Sequence, residues 1–420
     1  MAQYTTPTQL SGLFKESYGD EVQSLVPDSA KLTKIIPFVS RDKELGSKYH
    51  QPVVVTSENG VTYAAADSGA FALEDSVSMT LQDAQIQGSQ MLLRSAMSYD
   101  AASRASNSKK AFVKGTELLV ENMMESLHKR LEISLLHGQV GIGVNVSSVN
   151  VDATHTTVQL TTASFAAGIY SGIEGAKVQF YLVSNNNLVS SGADSVFAID
   201  SVDIDNRKIV VSGTATGITA LDAAADTNIF FKGSYGNEMA GMAKIISNTG
   251  TLFNISAVNY VLWKGNTYSA GSAALTMAKI LSAVGKGVQR GLDEKVCVAV
   301  NPLTWANLAS DIAALRSFDT SYDSKEQKSG TESLKYIGQN GEIEIISHNL
   351  VKEGEAFIFP PKRCKRVGAQ EASFKTPGRE DEIFLHLPSN AGFELRVYSD
   401  QALFIEAPAK CIYISGIVNS

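Results

Sequence analysis

Charge is scarce in this 420-residue chain. Asp, Glu, Lys and Arg supply 19% of it, against a usual share of roughly a quarter. A chain so poor in charge often covers much of its surface with partners. No run of Lys and Arg builds a basic face, and the net charge is −7, which argues against a sequence-specific nucleic-acid binder. The densest basic cluster, Lys362, Arg363, Lys365 and Arg366, follows Pro360-Pro361 and reads as a solvated turn rather than a phosphate site. Cysteine is scarce too. Cys297, Cys364 and Cys411 include no CxxC pair, so no structural zinc site is expected. Their odd number fits a reducing cytoplasm. Cys297, inside Val296–Val300, reads as a small buried hydrophobe. No apolar stretch is long enough to span a bilayer, so no membrane contact is expected. The opening Met1-Ala2-Gln3-Tyr4 lacks the basic-then-apolar pattern of a signal peptide.

Catalytic signatures are also missing. There is no GxxxxGK[ST], no GxGxxG, no HExxH and no GxSxG. The histidines fall singly; His128 and His137 lie in a helical stretch with no second ligand in view, so no metal is expected. Asp200, Asp203 and Asp205 lack the Gly and distal Glu of a calcium loop. They read as the polar side and turn of a hairpin. The expectation is therefore no enzyme, no catalytic residue and no cofactor.

What is present is a succession of dissimilar segments. Residues 1–47 are polar with isolated apolar residues and cannot bury enough surface to fold alone. Residues 48–93 read as a long β-hairpin: Gln51–Thr56 is one strand, and Val77, Met79 and Leu81 alternate with polar residues in the other. Such a hairpin needs a surface to lie on. Residues 106–138 give the strongest helix signal, with N-cap candidates Ser106, Asn107 and Ser108. Leu119, Met123, Leu127, Leu131 and Leu135 step by four along what would be the helix core face. The rod would be roughly 45 Å long. Glu125 and Lys129 form an expected i,i+4 pair. Residues 141–233 turn β-rich, helix signals vanish, and a small barrel or sandwich is expected there. Asp205-Asn206 sits at a hairpin turn. Residues 234–420 return to α+β character. Met277, Leu281, Val284 and Val288 make a helix face. Val296–Val300 is a buried strand, broken by Asn301-Pro302 before the helix Leu303–Leu315. Glu342–Ile346 and Ala356–Phe359 flank a turn at Glu353-Gly354, and a last strand begins at Cys411.

The order of these parts resembles the Hong Kong 97-type major capsid fold of tailed bacteriophages. Local text agrees: Gly241–Phe253 followed by Trp263-Lys-Gly-Asn266, Val300–Leu308, and Gly341–Gly368 are similar to stretches common in such coat proteins. The likeness covers nearly the whole chain outside 141–233.

The resemblance implies a fold and a set of roles. The fold would be α+β, Hong Kong 97-like, with an inserted small β domain. Residues 1–47 would be an N-terminal arm and 48–93 an extended loop over the next subunit. Residues 94–140 would form a peripheral domain with its spine helix. Residues 141–233 would be the insertion and 234–271 a peripheral connection. Residues 272–375 would form the axial domain, and 376–420 the strands closing the peripheral sheet. Leu13, Phe14, Ile35, Ile36, Phe38, Val53, Val55, Val77, Met79 and Leu81 would make contacts between copies. The partners implied are many copies of the chain, portal and scaffolding proteins, a decoration protein, and packaged double-stranded DNA held non-specifically. The place implied is a virion head built in a bacterial cytoplasm. The rivals are an encapsulin-like compartment sharing this fold, a β-rich surface or adhesion protein, and an enzyme whose site is assembled from scattered residues.

Overall fold

The leucine stripe at four-residue spacing makes a helix, because it lines one side of a 3.6-residue repeat. In the computed structural model that helix runs Lys109–His137. The structure describes residues 30–40, 48–98, 109–190, 194–224, 226–316, 333–374, 384–387 and 391–419. Met123, Leu127, Leu131 and Leu135 are buried, and Leu119 is half-buried. Ser106, Asn107 and Ser108 lie outside the described residues. Lys129 departs from the expected surface pair with Glu125. It is buried and donates to the Ser171 carbonyl.

Two sheets and a barrel surround this helix. The first sheet orders its strands 38–40, 364–373 and 392–405, with 384–386 and 89–98 also paired to 392–405. Met123 and Leu127 pack on its Leu395 and Val397. The second sheet has the order 266–273, 412–417, 355–359, 296–300, 341–347, 333–338. Its strand Val296–Val300 is buried on both faces. Val296, Val298 and Val300 face helices Met277–Val288 and Pro302–Arg316, while Cys297 and Ala299 face the main core. That split is the period-2 alternation of a strand applied to a wholly apolar run. The second of these helices starts at the expected Asn301-Pro302 break, whereas the cap of the first was not anticipated. Thr276 Oγ1 accepts from Lys279 N, and Asn301 Oδ1 accepts from Leu303 N with Pro302 just inside.

Residues 143–231 contain a closed six-stranded barrel, ordered 227–231, 143–150, 155–160, 208–212, 197–203, 177–182. Phe180, Phe197, Ile199 and Val211 fill it. The expected turn at Asp205-Asn206 is present, with Asn206 N donating to Asp203. Helices were not expected here, yet Ala215–Asp222 and the single turn Ala167–Tyr170 are helical. Ile218 and Leu221 of the first are fully buried, so packing overrides weak local propensity.

Three boundaries move. The hairpin pairs Tyr49–Thr56 with Thr80–Ile86, so Val77 and Met79 precede its second strand. The next strand, Ser89–Ser98, leaves the hairpin for the first sheet, and a division at residue 93 cuts it. The division at residue 375 does not follow the sheets. Strand Ile412–Ile417 enters the same sheet as 296–300, while 364–373 belongs with 392–405. Strands 341–347 and 355–359, which flank the expected turn, do not pair with each other, because 296–300 lies between them.

Candidate functional site

The segment expected to be a loose arm is stitched to its own body over residues 30–40. Glu132, fully buried on the long helix, accepts from Leu32 N at 3.1 Å, Thr33 N at 2.7 Å and Thr33 Oγ1 at 2.8 Å. His348 Nε2 lies 3.2 Å from the same carboxylate. These are the free amides of a helical start, which a carboxylate satisfies well. From the other side Arg366 donates to the Ile36 and Thr33 carbonyls and to Gln401. Phe38–Ser40 then adds a parallel strand beside Arg366–Gly368. Ile36 is therefore buried within this chain, and Ile35 and Phe38 are half-buried. Ile36 is corrected from a contact between copies to a core residue. Leu13 and Phe14 lie outside the described residues.

Arg366 also corrects the solvated reading of the basic cluster. It is buried, and its neighbours are paired: Arg363 with Glu294 at 2.7 Å, and Lys365 with Glu406.

The hairpin behaves differently along its length. Its base is core: Ala84 and Ile86 are buried and Val53 packs partly against that core, while Val55, near the far end of the strand, is buried as well. Val55 is thus not available to a partner. Beyond the strands, residues 57–79 have no cover. Tyr63 is 91% exposed, Leu73 81% and Val61 61%, and Phe71, Val77, Met79 and Leu81 are about half exposed. Isolated exposed apolar residues are ordinary, but a cluster on one projecting segment marks an interaction surface.

The joint between helix, second sheet and barrel is polar and buried. His137 Nε2 donates to the Leu350 carbonyl, and its Nδ1 lies 3.2 Å from Glu355 Oε1. Burial, with Lys352 beside it, holds the His137 imidazole well below the usual histidine value. Burial pushes the Glu355 carboxyl up, opposed by Lys352 and by the Tyr413 hydroxyl that donates to it. Lys352 Nζ donates to the Gly141 carbonyl. Arg207 on the barrel grips Glu353 at 2.8 Å. Glu353 N and Gly354 N donate to the Phe165 and Ala163 carbonyls. A Cβ at Gly354 would sit 2.6 Å from Ala163, so this close approach requires glycine. The barrel is thus bonded at several points to the turn Glu353-Gly354.

No group of three or more metal-ligating side chains occurs among the described residues. Asp200 takes Ser212 and His155 as partners, whereas Asp203 takes Asn206. The aspartates sequence reading singled out therefore do not converge. His155, paired with Asp152 at 2.8 Å, is held above its ordinary value by that hydrogen bond. The Glu132 clamp and the polar joint were not legible in the sequence, because Glu132 meets Thr33 across 99 residues and His137 meets Leu350 across 213. No helix among the described residues is long and apolar enough to cross a membrane.

No protein-family model matches the chain, and no curated protein matches it. Solved structures do. The chain is similar to a chain of the Cyanophage A-1(L) capsid asymmetric unit, with a TM-score of 0.58 and 11% identity over 98% of this chain and 99% of that one. It is similar to the capsid of a native GTA particle, with a TM-score of 0.51 and 8% identity over 99% and 100%. A chain of Mycobacterium phage Adephagia gives a TM-score of 0.50 and 10% identity over the full length of both. The chain thus shares an overall α+β fold with these structures.

Proposed function

We propose that the chain is the major capsid protein of a tailed phage, self-assembling into hexamers and pentamers of an icosahedral head around double-stranded DNA. The observation that carries this reading is the uncovered apolar segment 57–79 on a chain whose fold is that of capsid chains over its whole length. Each large apolar side chain is worth roughly 1.5–3 kcal/mol when fully covered, so several together favour association.

The parts take roles accordingly. Residues 57–79, with Val77, Met79 and Leu81, reach onto an adjoining copy. The long helix, with Leu119, Met123, Leu127, Leu131 and Leu135 as its core face, is the spine of a peripheral lobe that includes the first sheet. The second sheet and its two helices form the axial lobe. The barrel is an inserted domain that braces neighbours or faces outward. Heterologous contacts of this kind close into rings. The chain acts structurally and not as an enzyme. It is made in a bacterial cytoplasm and ends in the virion, with portal, scaffolding and decoration proteins and DNA as further partners.

Electron microscopy of the expressed full chain tests this. Closed shells of uniform size with hexamers and pentamers are expected. A monodisperse monomer at all concentrations and salt conditions overturns the proposal. Nuclease-resistant DNA inside particles from infected cells separates a genome container from a protein-filled compartment.

A further inference from the structure

The joint beside Glu353-Gly354 contains two histidines, His137 and His348, both buried. Each ring nitrogen there needs a partner of the opposite kind. His348 has both: its Nδ1 accepts from Leu350 N, so its Nε2 carries the hydrogen and turns it to Glu132. His137 is satisfied on one side only. Its Nε2 lies 2.9 Å from the Leu350 carbonyl, which can only accept, so the hydrogen is on Nε2. Its Nδ1 and Glu355 Oε1 lie 3.2 Å apart, both buried and both without another partner. A neutral His137 beside an ionised Glu355 sets two lone pairs against each other across that gap. One proton between them turns the repulsion into a hydrogen bond.

The surroundings decide which side holds that proton. Burial disfavours charge on both groups, lowering the imidazole and raising the carboxyl. Lys352 is the nearby cation, and its Nζ is turned to the Gly141 carbonyl. Arg207 is engaged by Glu353, and Glu238 by Gln139 N. The other Glu355 oxygen accepts from the Tyr413 hydroxyl at 2.6 Å, which leaves Oε1 to carry the hydrogen. We propose that Glu355 stands as the neutral acid, donates to His137 Nδ1, and with this one proton locks the barrel to the body. Glu353 and Gly354, whose amides hold the barrel, immediately precede it in the chain.

Such a lock depends on pH with a definite sign. The folded pair keeps one proton through the neutral range. Opened to water, the same two groups bind two protons below about pH 4.3, one up to about 6.5, and none above. Closure therefore strengthens as pH rises to about 4.3 and is level to about 6.5. Above that it weakens about tenfold per pH unit, because opening sends the proton to solvent.

Hydrogen exchange at the Glu353 and Gly354 amides of the full chain, corrected for intrinsic rates, tests this between about pH 5 and 8. Protection in the wild type should fall about tenfold per unit above about pH 6.5. Glu355→Gln puts an N–H donor that does not titrate in place of the acid. Its protection should be level above about pH 6.5, and within about tenfold of the wild type at pH 6. His137→Gln leaves only the carboxyl to titrate, so its protection should already fall between about pH 5 and 6.5. Level protection in the wild type, or an equal fall in Glu355→Gln, overturns the inference. So does a loss of more than about tenfold in Glu355→Gln at pH 6, because the pair is then an imidazolium and a carboxylate. Nitrogen-15 NMR of the wild type reads the same point without a substitution. His137 Nδ1 should be unprotonated at pH 6, and a protonated Nδ1 overturns the inference.

Discussion

Removing the Glu132 carboxylate should release the segment 30–40. Glu132→Ala deletes the acceptor for two backbone amides and one hydroxyl, and takes away the partner of His348 Nε2 in a fully buried site. Each orphaned buried donor costs about 1–3 kcal/mol, and three donors lose their acceptor at once. Partial solvation of the freed segment offsets some of this, so a loss of about 4 kcal/mol is expected for local opening. Hydrogen exchange with mass spectrometry on the full-length chain reads it directly. At about 1.4 kcal/mol per factor of ten, protection of the Leu32–Ile36 amides should fall about 1,000-fold. Glu132→Gln keeps one acceptor oxygen and should lose about half as much on the energy scale. Arg366→Met removes the opposite side of the clamp, and the double variant should lose less than the sum, because either change alone already frees the same segment. Unchanged exchange at Leu32–Ile36 in Glu132→Ala, or losses that simply add, would refute the clamp.

The other predictions concern charge burial and close approach. Burial raises the Glu238 carboxyl to about 7. Its folded value lies above the unfolded one, so stability is lost as pH rises from about 4.3 to 7 and stays lost above that. Glu238→Gln should therefore stabilise by about 1–3 kcal/mol at pH 8 and by almost nothing at pH 4.5; urea unfolding giving equal effects at both pH values contradicts this. A Cβ at Gly368 would meet the Asp400 carbonyl at 2.0 Å, while one at Gly285, on helix Met277–Val288, meets nothing within 4 Å. Gly368→Ala should cost about 3 kcal/mol or prevent folding, and Gly285→Ala should add about 0.5–1 kcal/mol. Thermal melting that ranks the two the other way round would show the packing to be wrong.

Sequence periodicity alone determined which faces are apolar. The four-residue steps from Leu119 to Leu135 define a helix side whatever packs on it. The wholly apolar Val296–Val300 declares a strand covered on both faces. Asn301-Pro302 marks a helix start through chemistry confined to one turn. The exposed apolar cluster of Val61, Tyr63, Phe71 and Leu73 was not legible, because nothing local says whether a side chain in a turn-rich stretch finds cover.

Only the tertiary structure decided who meets whom. Glu132 reaches Thr33 across 99 residues and Arg366 reaches Ile36 across 330, and no local pattern encodes such pairs. The same holds for strand 227–231, which closes the barrel between 143–150 and 177–182, and for strand 412–417, which enters a sheet begun far upstream. The physical reason is that alternation fixes a strand's faces but leaves its edges identical. The hydrogen bonds of one edge fit another edge equally well, and the choice is made by the three-dimensional packing of every face at once.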